Sequence, residues 1–295
     1  MGNFFPALLT MAIGAACALN VPFDVSNWSD VARDSEAVTA GLPLPAGAVS
    51  DLTKLRVTDG SGNTVPAQFR PLNKWWFEKN TGKTANPSTK WVLMDFQAAV
   101  AASNKTSFSL RDDNTGSAPT TALSVADAVD KVTVITGPLK FTVSKQHFNL
   151  FDEAWLDADH NGSYEASEKI VASNLANGGI ITAGNSATQG CVDGQDHSAS
   201  QNAPESVQIL EQGPMKVVLQ VDGRHYATSG GVTKGLYGYQ VFITAYAGRP
   251  YVDVQYALTN TYLEGAKPEA AVDPYKVYSW PFKKYLVNLN LNLGG

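Results

Sequence analysis

From residue 21 onward the chain is a succession of short apolar runs separated by turn residues. Segments such as "LRVTD" (55–59), "KWVLMDFQA" (90–98), "KVTVITG" (131–137), "LKFTVS" (139–144), "MKVVLQVDG" (215–223) and "YVDVQYALTN" (251–260) have the length and composition of strands. Period-two alternation is plain at Tyr239, Val241, Ile243 and Ala245, which alternate with Gln240 and Thr244; only Phe242 breaks the pattern. "LRVTD" leads through "GSGN" (60–63) into "TVPAQF" (64–69), which predicts a hairpin turned on glycine and asparagine. One helix is predicted, over 163–175, where Ile170, Val171, Asn174 and Leu175 share a face and Gly178–Gly179 would close it. The Gly-, Ser-, Asn- and Gln-rich segment 176–204 reads as one long loop, of a length that usually carries function. At the C-terminal end Val287, Leu289, Leu291 and Leu293 alternate with Asn288, Asn290 and Asn292, a half-buried strand. That strand either finishes its own sheet, completes a neighbouring copy through residues 287–293, or ends where a missing partner domain begins. The pattern as a whole predicts an all-β protein with few or no helices and no internal repeats.

At 295 residues the chain is long enough for two β modules, read here as 19–125 and 126–295. A hydrophobic fraction of 44% supplies ample core, and a net charge of -5 gives no overall basic field, which excludes nucleic acid as a partner. Binding any polyanion would require a local basic patch or a bound cation. The apolar run from Phe4 to Leu19 is too short for a stable membrane span. It reads as a signal peptide over 1–18, with Ala16-Cys17-Ala18 as the cleavage motif and an n-region that lacks Lys and Arg, so a secreted, extracellular protein is expected. Cleavage would leave Cys191 as the only cysteine and no internal disulfide. Asn27, Asn104 and Asn161 head glycosylation sequons.

The stretch "LDADHNGSYEASE" (156–168) matches the calcium-loop spacing at every defined position: Asp157, Asp159, Asn161, Gly162, and Glu168 after five further residues. Calcium takes six to eight oxygens, and alternate residues of a tight loop aim theirs inward. Ser163 would contribute its carbonyl and Glu165 a carboxylate. The bland alternative is an Asx-rich turn, since Asp, Asn and Gly also make turns for backbone reasons. Tyr164 stands where paired loops carry an aliphatic residue, and no second loop is visible, so a lone structural Ca2+ site is expected.

Trp75, Trp76 and Trp91 offer flat faces on which apolar sugar faces stack, or else they are core. Adjacent Trp75 and Trp76 would point to opposite sides of a strand. In "DGRHY", Arg224, His225 and Tyr226 place a cation, a titrating base and a phenol side by side, the set needed to take a proton beside a neutralised carboxylate. A strand would put Arg224 and Tyr226 on one face and His225 on the other. His147, His160 and His197 show no zinc-ligand spacing.

The segments "VARDSEAVTAGLPLPAGAVSDLTKLRVTDGSGNTVPAQFRPLNKWW", "TKWVLMDFQAAV", "TVITGPLKFTVSKQHFNLFDEAWLDADHNG", "ILEQGPMKVVLQVDGRHY" and "YGYQVFITAYAGRPYVDVQYALTN" resemble the N-terminal region of the exo-acting rhamnogalacturonan lyase-like family, over about residues 25–262. The resemblance implies RIFT-barrel-like or β-sandwich modules and a secreted protein acting by β-elimination on pectic rhamnogalacturonan I. It also places the 157–168 loop in a β context rather than between helices. Members of that family are longer, so the resemblance assigns no catalytic residue here. The expectation is a lyase-like protein or its carbohydrate-contacting module, with a structural or assembly subunit and a glycan-binding module as alternatives.

Overall fold

The computed structural model describes residues 19–75, 88–113, 119–173, 179–183, 196–229, 231–259 and 282–287. These residues form β-strands joined by turns and two single turns of 3-10 helix, so the protein is all-β. Among them no helix is long and apolar enough to cross a membrane. Residues 1–18, residues 176–178 and 184–195 of the 176–204 segment, and Asn288 to Leu293 lie outside the described residues. The chain divides into two compact units, Met1–Ala118 and Pro119–Gly295.

The first unit contains β1 (Leu19–Ser26), β2 (Arg33–Pro43), β3 (Leu55–Asp59), β4 (Thr64–Val65), β5 (Ala67–Lys74), β6 (Thr89–Val100) and β7 (Lys105–Asp112). They build two antiparallel sheets, β1-β7-β3-β4 and β2-β6-β5. The predicted 55–69 hairpin is there, with Val57 opposite Val65 and Gly62 at a φ of 86° in the turn. The alternation of β6 decides how the sheets close: Val92, Met94, Phe96, Ala98 and Val100 are buried, while Trp91 faces outward. Phe96 meets Phe23 and Phe108 of the other sheet edge-on, at 5.8 and 5.2 Å, which makes one aromatic core. Asn27 is buried, and its amide donates to the carbonyls of Val31, Val100 and Ala101. That sequon is therefore filled by a structural amide.

The second unit contains β8 (Ser124–Asp127), β9 (Lys131–Ile135), β10 (Leu139–Ser144), β11 (Glu153–Leu156), β12 (Lys169–Val171), β13 (Gly179–Ala183), β14 (Asp196–Ser198), β15 (Ser206–Gln212), β16 (Lys216–Ser229), β17 (Val232–Tyr246), β18 (Val252–Thr259) and β19 (Phe282–Val287). Strands β8 to β12 form one antiparallel sheet in the order β12-β11-β10-β9-β8. The other runs β18-β17-β16-β14-β13-β19, with β15 also on β16. Val132, Val134, Phe141 and Val143 from the first pack against Val217, Leu219, Val221, Val241 and Ile243 from the second, so the unit is a sandwich. Strand β19 pairs with β13 inside its own sheet, with Tyr285 opposite Ile181.

The predicted helix over 163–175 is corrected by the structure. Ala166–Glu168 makes a single 3-10 turn, and Lys169–Val171 continues as β12. Local periodicity suggested a helix, but the β-branched pair Ile170–Val171 gains more as a strand: Val171 pairs with Ala154 of β11 and is buried in the core. Asn174 and Leu175 lie outside the described residues. The segment 176–204, read as one loop, carries β13 and β14.

Gly223 faces Tyr239 across the β16–β17 pair, and a Cβ there would lie 2.3 Å from the tyrosine Oη and 2.5 Å from its Cζ. Tyr239 has no room to retreat, being buried and stacked on Phe148 at 5.1 Å. Gly223→Ala is accordingly expected to lower stability by about 2 kcal/mol in urea unfolding. Gly41→Ala, whose Cβ would meet nothing closer than 3.9 Å, is the control and should leave the midpoint unchanged.

Candidate functional site

The acidic loop leaves the end of β11, makes its turn at Gly162 with a φ of 80°, and returns through the 3-10 turn into β12. It is flanked by strands. Asp157 is buried, and its two carboxylate oxygens accept from the backbone N–H of Asn161 and of Gly162, each at 3.0 Å. Asp159 accepts from the Asn161 backbone at 3.1 Å and from its side-chain amide at 2.9 Å. Asn161 Oδ1 accepts from Ser163 N–H at 2.7 Å, and Asn161 Nδ2 donates to Glu165 at 3.4 Å. Glu168 closes the loop by accepting from Ala158 N–H at 2.8 Å and Glu165 N–H at 3.3 Å. The six residues singled out from spacing are thus brought together on one turn.

Two features bear on a cation. Ligand oxygens of Asp157, Asp159 and Glu168 all lie within 4.8 Å of one another. Two oxygens on a calcium ion about 2.4 Å from each can be at most about 4.8 Å apart, so the spread fits one ion. Glu165 and Glu168 also share a hydrogen bond between their carboxyl groups; it raises the Glu165 carboxyl above the usual carboxylate range and lowers that of Glu168. Carboxyl groups this close repel one another when both are ionised, and a cation between them would relieve that repulsion. Tyr164 donates to the Gly137 carbonyl at 2.6 Å and so pins the loop to the β9–β10 turn. Burial, then the charges of Asp157 and Glu168, push its phenol pKa up.

In "DGRHY" the strand separates the three residues as its pleat requires. Arg224 is half-buried and ion-paired to Glu205 at 2.9 Å, and Tyr226, also half-buried, lies against Gly235. His225 points into the core with no exposed surface. Its Nδ1 lies 2.7 Å from the Tyr237 carbonyl, which can only accept, so Nδ1 carries the proton and Nε2 accepts from Tyr256 Oη at 3.0 Å. With both nitrogens occupied and no solvent contact, this imidazole offers no lone pair to a substrate. The tryptophans also part company. Trp75 spends its Nε1–H on the Leu44 carbonyl at 3.0 Å and carries Lys90 over its ring at 4.9 Å. Trp91 is 38% exposed. Trp76 lies outside the described residues.

No protein-family model matches the chain, and no curated protein matches it in sequence. The fold has a solved likeness in an alpha-mannosidase from Enterococcus faecalis V583. The two superpose with a TM-score of 0.52 and 11% identity, over 82% of this chain and 30% of that one. The chain therefore spans less than a third of that protein's length, and at this identity the likeness is one of fold.

Two groupings were not legible in the sequence. His225 sits among Tyr239, Tyr256 and Tyr285, at ring distances of 5.1, 6.2 and 6.4 Å, from three strands far apart in the chain. Trp155, just before the acidic loop, carries Lys140 and Lys169 over its ring at 4.6 and 4.7 Å. The period-two pattern could place each residue on a face but could not say which strands meet.

Burial lowers the His225 pKa from 6.5 to about 4, opposed by the bond to Tyr237 and aided by His197. In the unfolded chain the ring takes up a proton near its ordinary pKa, so between about 6.5 and about 4 the unfolded state binds more protons than the folded one. This contribution to stability is complete above the higher value and is lost as pH falls through the window, by up to about 3 kcal/mol. Urea midpoints measured from pH 7 to pH 4 should fall accordingly, and His225→Gln should flatten that part of the slope.

Proposed function

We propose that this chain is the carbohydrate-contacting β region of a secreted, exo-acting rhamnogalacturonan lyase-like protein, and that the 157–168 loop holds one structural calcium ion. The observation that carries the reading is the exposed indole of Trp91 on the solvent side of β6, whose inward neighbours are all core. A fold likeness to an enzyme named for a carbohydrate substrate supports it. So does the RIFT-barrel-like family resemblance of the sequence. Contact is favoured over chemistry because Arg224 and His225 lie on opposite faces of β16, and the buried histidine is occupied at both nitrogens.

The calcium proposal rests on the donor set. Asp157, Asp159, Glu165 and Glu168 would neutralise the ion, with Asn161 Oδ1 and the Ser163 carbonyl filling the shell. A bound cation would relieve the repulsion among four carboxylates and tie the end of β11 to the start of β12. Beyond that, the residues act by themselves: Gly162 makes the turn, Glu168 staples it shut, and Tyr164 fastens it to Gly137.

Retention of the protein on immobilised rhamnogalacturonan I, without release of unsaturated uronate absorbance, is the expected outcome; a protein that passes through unretarded overturns the reading. In differential scanning calorimetry, calcium at about a hundred times Kd should raise Tm by roughly 5 °C, from about 2.7 kcal/mol of linkage. Asp159→Asn should abolish the response to calcium and to chelator. A wild-type melt indifferent to both would make the loop an Asx turn.

A further inference from the structure

Phe242 breaks the alternation of β17, and the strand pairing shows where its ring goes. Tyr239, Val241 and Ile243 are core, so Phe242 stands on the outer face of the sheet. Register places Gln220 of β16 on one side of it and Gln255 of β18 on the other, with Gln208 of β15 beyond Gln220. Directly opposed residues share a face, with Cβ atoms about 5 Å apart. A half-buried aromatic ring therefore lies in a row of glutamines, of which Gln208 and Gln255 are exposed. Neither of these two makes a side-chain hydrogen bond among the described residues.

A second ring lies along the same face. Tyr226 also points outward from β16, and the stretch from Gln220 to Tyr226 spans about 20 Å at the rise of an antiparallel strand. Its partner on β17 is Gly235, where a Cβ would lie 2.7 Å from Tyr226 Cε1 and 3.2 Å from Cδ1 and Cζ, so the phenol ring lies across the glycine. Between the two rings Asp222 accepts from Ser206, Gln220 and Gln240 at 3.0, 2.7 and 2.9 Å. Both glutamines turn their NH2 groups to that carboxylate, which leaves their amide oxygens as acceptors. The charges on this face are not balanced. Arg224 is answered by Glu205 at 2.9 Å, whereas Asp222 and the exposed Asp253 have no basic partner among the described residues.

We propose that this face binds a neutral oligosaccharide laid along β16, with pyranose faces on Phe242 and Tyr226 and ring hydroxyls on the glutamine amides. The inference rests on the carbohydrate reading above and adds to it a second contact and a substrate class. Aromatic rings offer area at low entropic cost, and planar amides both donate to and accept from hydroxyl groups. A uronate would bring its carboxylate beside Asp222 with no cation free to neutralise it, and like charges in a half-buried site disfavour binding. The discrimination between neutral and acidic glycans therefore lies in Asp222.

Calorimetric titration with β-1,4-linked galactotetraose and with tetragalacturonate, at one fixed ionic strength, tests the assignment. Wild type should bind the neutral tetramer at least about tenfold more tightly than the acidic one. Phe242→Ala and Tyr226→Ala should each weaken the neutral tetramer by about tenfold. Should either fail to fold, as judged by far-UV circular dichroism, Gln255→Ala replaces an exposed side chain that holds nothing together, and it should cost about threefold. Equal or tighter binding of the acid, no binding of either tetramer, or unchanged affinity in the variants overturns the site. If wild type is still retained on rhamnogalacturonan I in that case, only this site falls; if it is not retained at all, the carbohydrate reading falls with it.

Discussion

The antiparallel pairing of β16 with β17 is the contact on which the second unit depends. Its register, Val217 to Ala245 through Gly223 to Tyr239, gives every residue of the two long strands a side. Val217, Leu219, Val221 and His225 turn inward with Tyr239, Val241 and Ile243 and meet the sheet that carries the acidic loop. Gln220, Asp222, Arg224 and Tyr226 turn outward. On that side Asp222 accepts from Ser206, Gln220 and Gln240, so three strands share one half-buried carboxylate. The pairing slips once, between Arg224 and His225, where Tyr237 is an extra residue with a φ of 46°. That bulge brings the Tyr237 carbonyl within reach of His225. A left-handed tyrosine is held there because its ring is buried and its carbonyl is bonded.

The acidic loop shows the same dependence of a local feature on its surroundings. Its turn chemistry is self-contained, running from Asp157 to Glu168 through N–H to carboxylate bonds. Its position is not: Tyr164 reaches a carbonyl of another turn, and Asp157 N–H continues the ladder to Pro138. Four carboxylates on so short a turn repel one another, and backbone N–H groups aimed at Asp157, Asp159 and Glu168 are how the chain alone meets that repulsion. Held by the ladder at Asp157 and by Tyr164 at Gly137, the loop is a stiff element of its sheet.

Much of this was legible from pattern. Alternation identified the strands, the turn residues identified the 55–69 hairpin, and spacing gathered the loop's oxygen donors. The pleat also foretold that Arg224 and His225 would part. The misses share a cause. Ile170 and Val171 have helical spacing with Asn174 and Leu175, but a strand partner at Ala154 and Trp155 outweighs local periodicity, and no local window contains that partner. Trp75 and Trp91 look alike as letters; a carbonyl of Leu44 engages one, while a glycine and a bulged leucine leave the other open.

The sequence by itself determined which residues alternate, where the chain turns and which donors sit on one loop, because these depend on neighbours within a few bonds. Only the tertiary structure decided which alternating face is core and which is solvent, since that depends on strands brought together from distant parts of the chain. The fate of His225 shows the difference. Its face was written in the period of β16, but its two partners are Tyr237 and Tyr256, and its lowered basicity comes first from burial among packed strands. The desolvation that sets its chemistry belongs to the packing of those elements and to no short stretch of the chain.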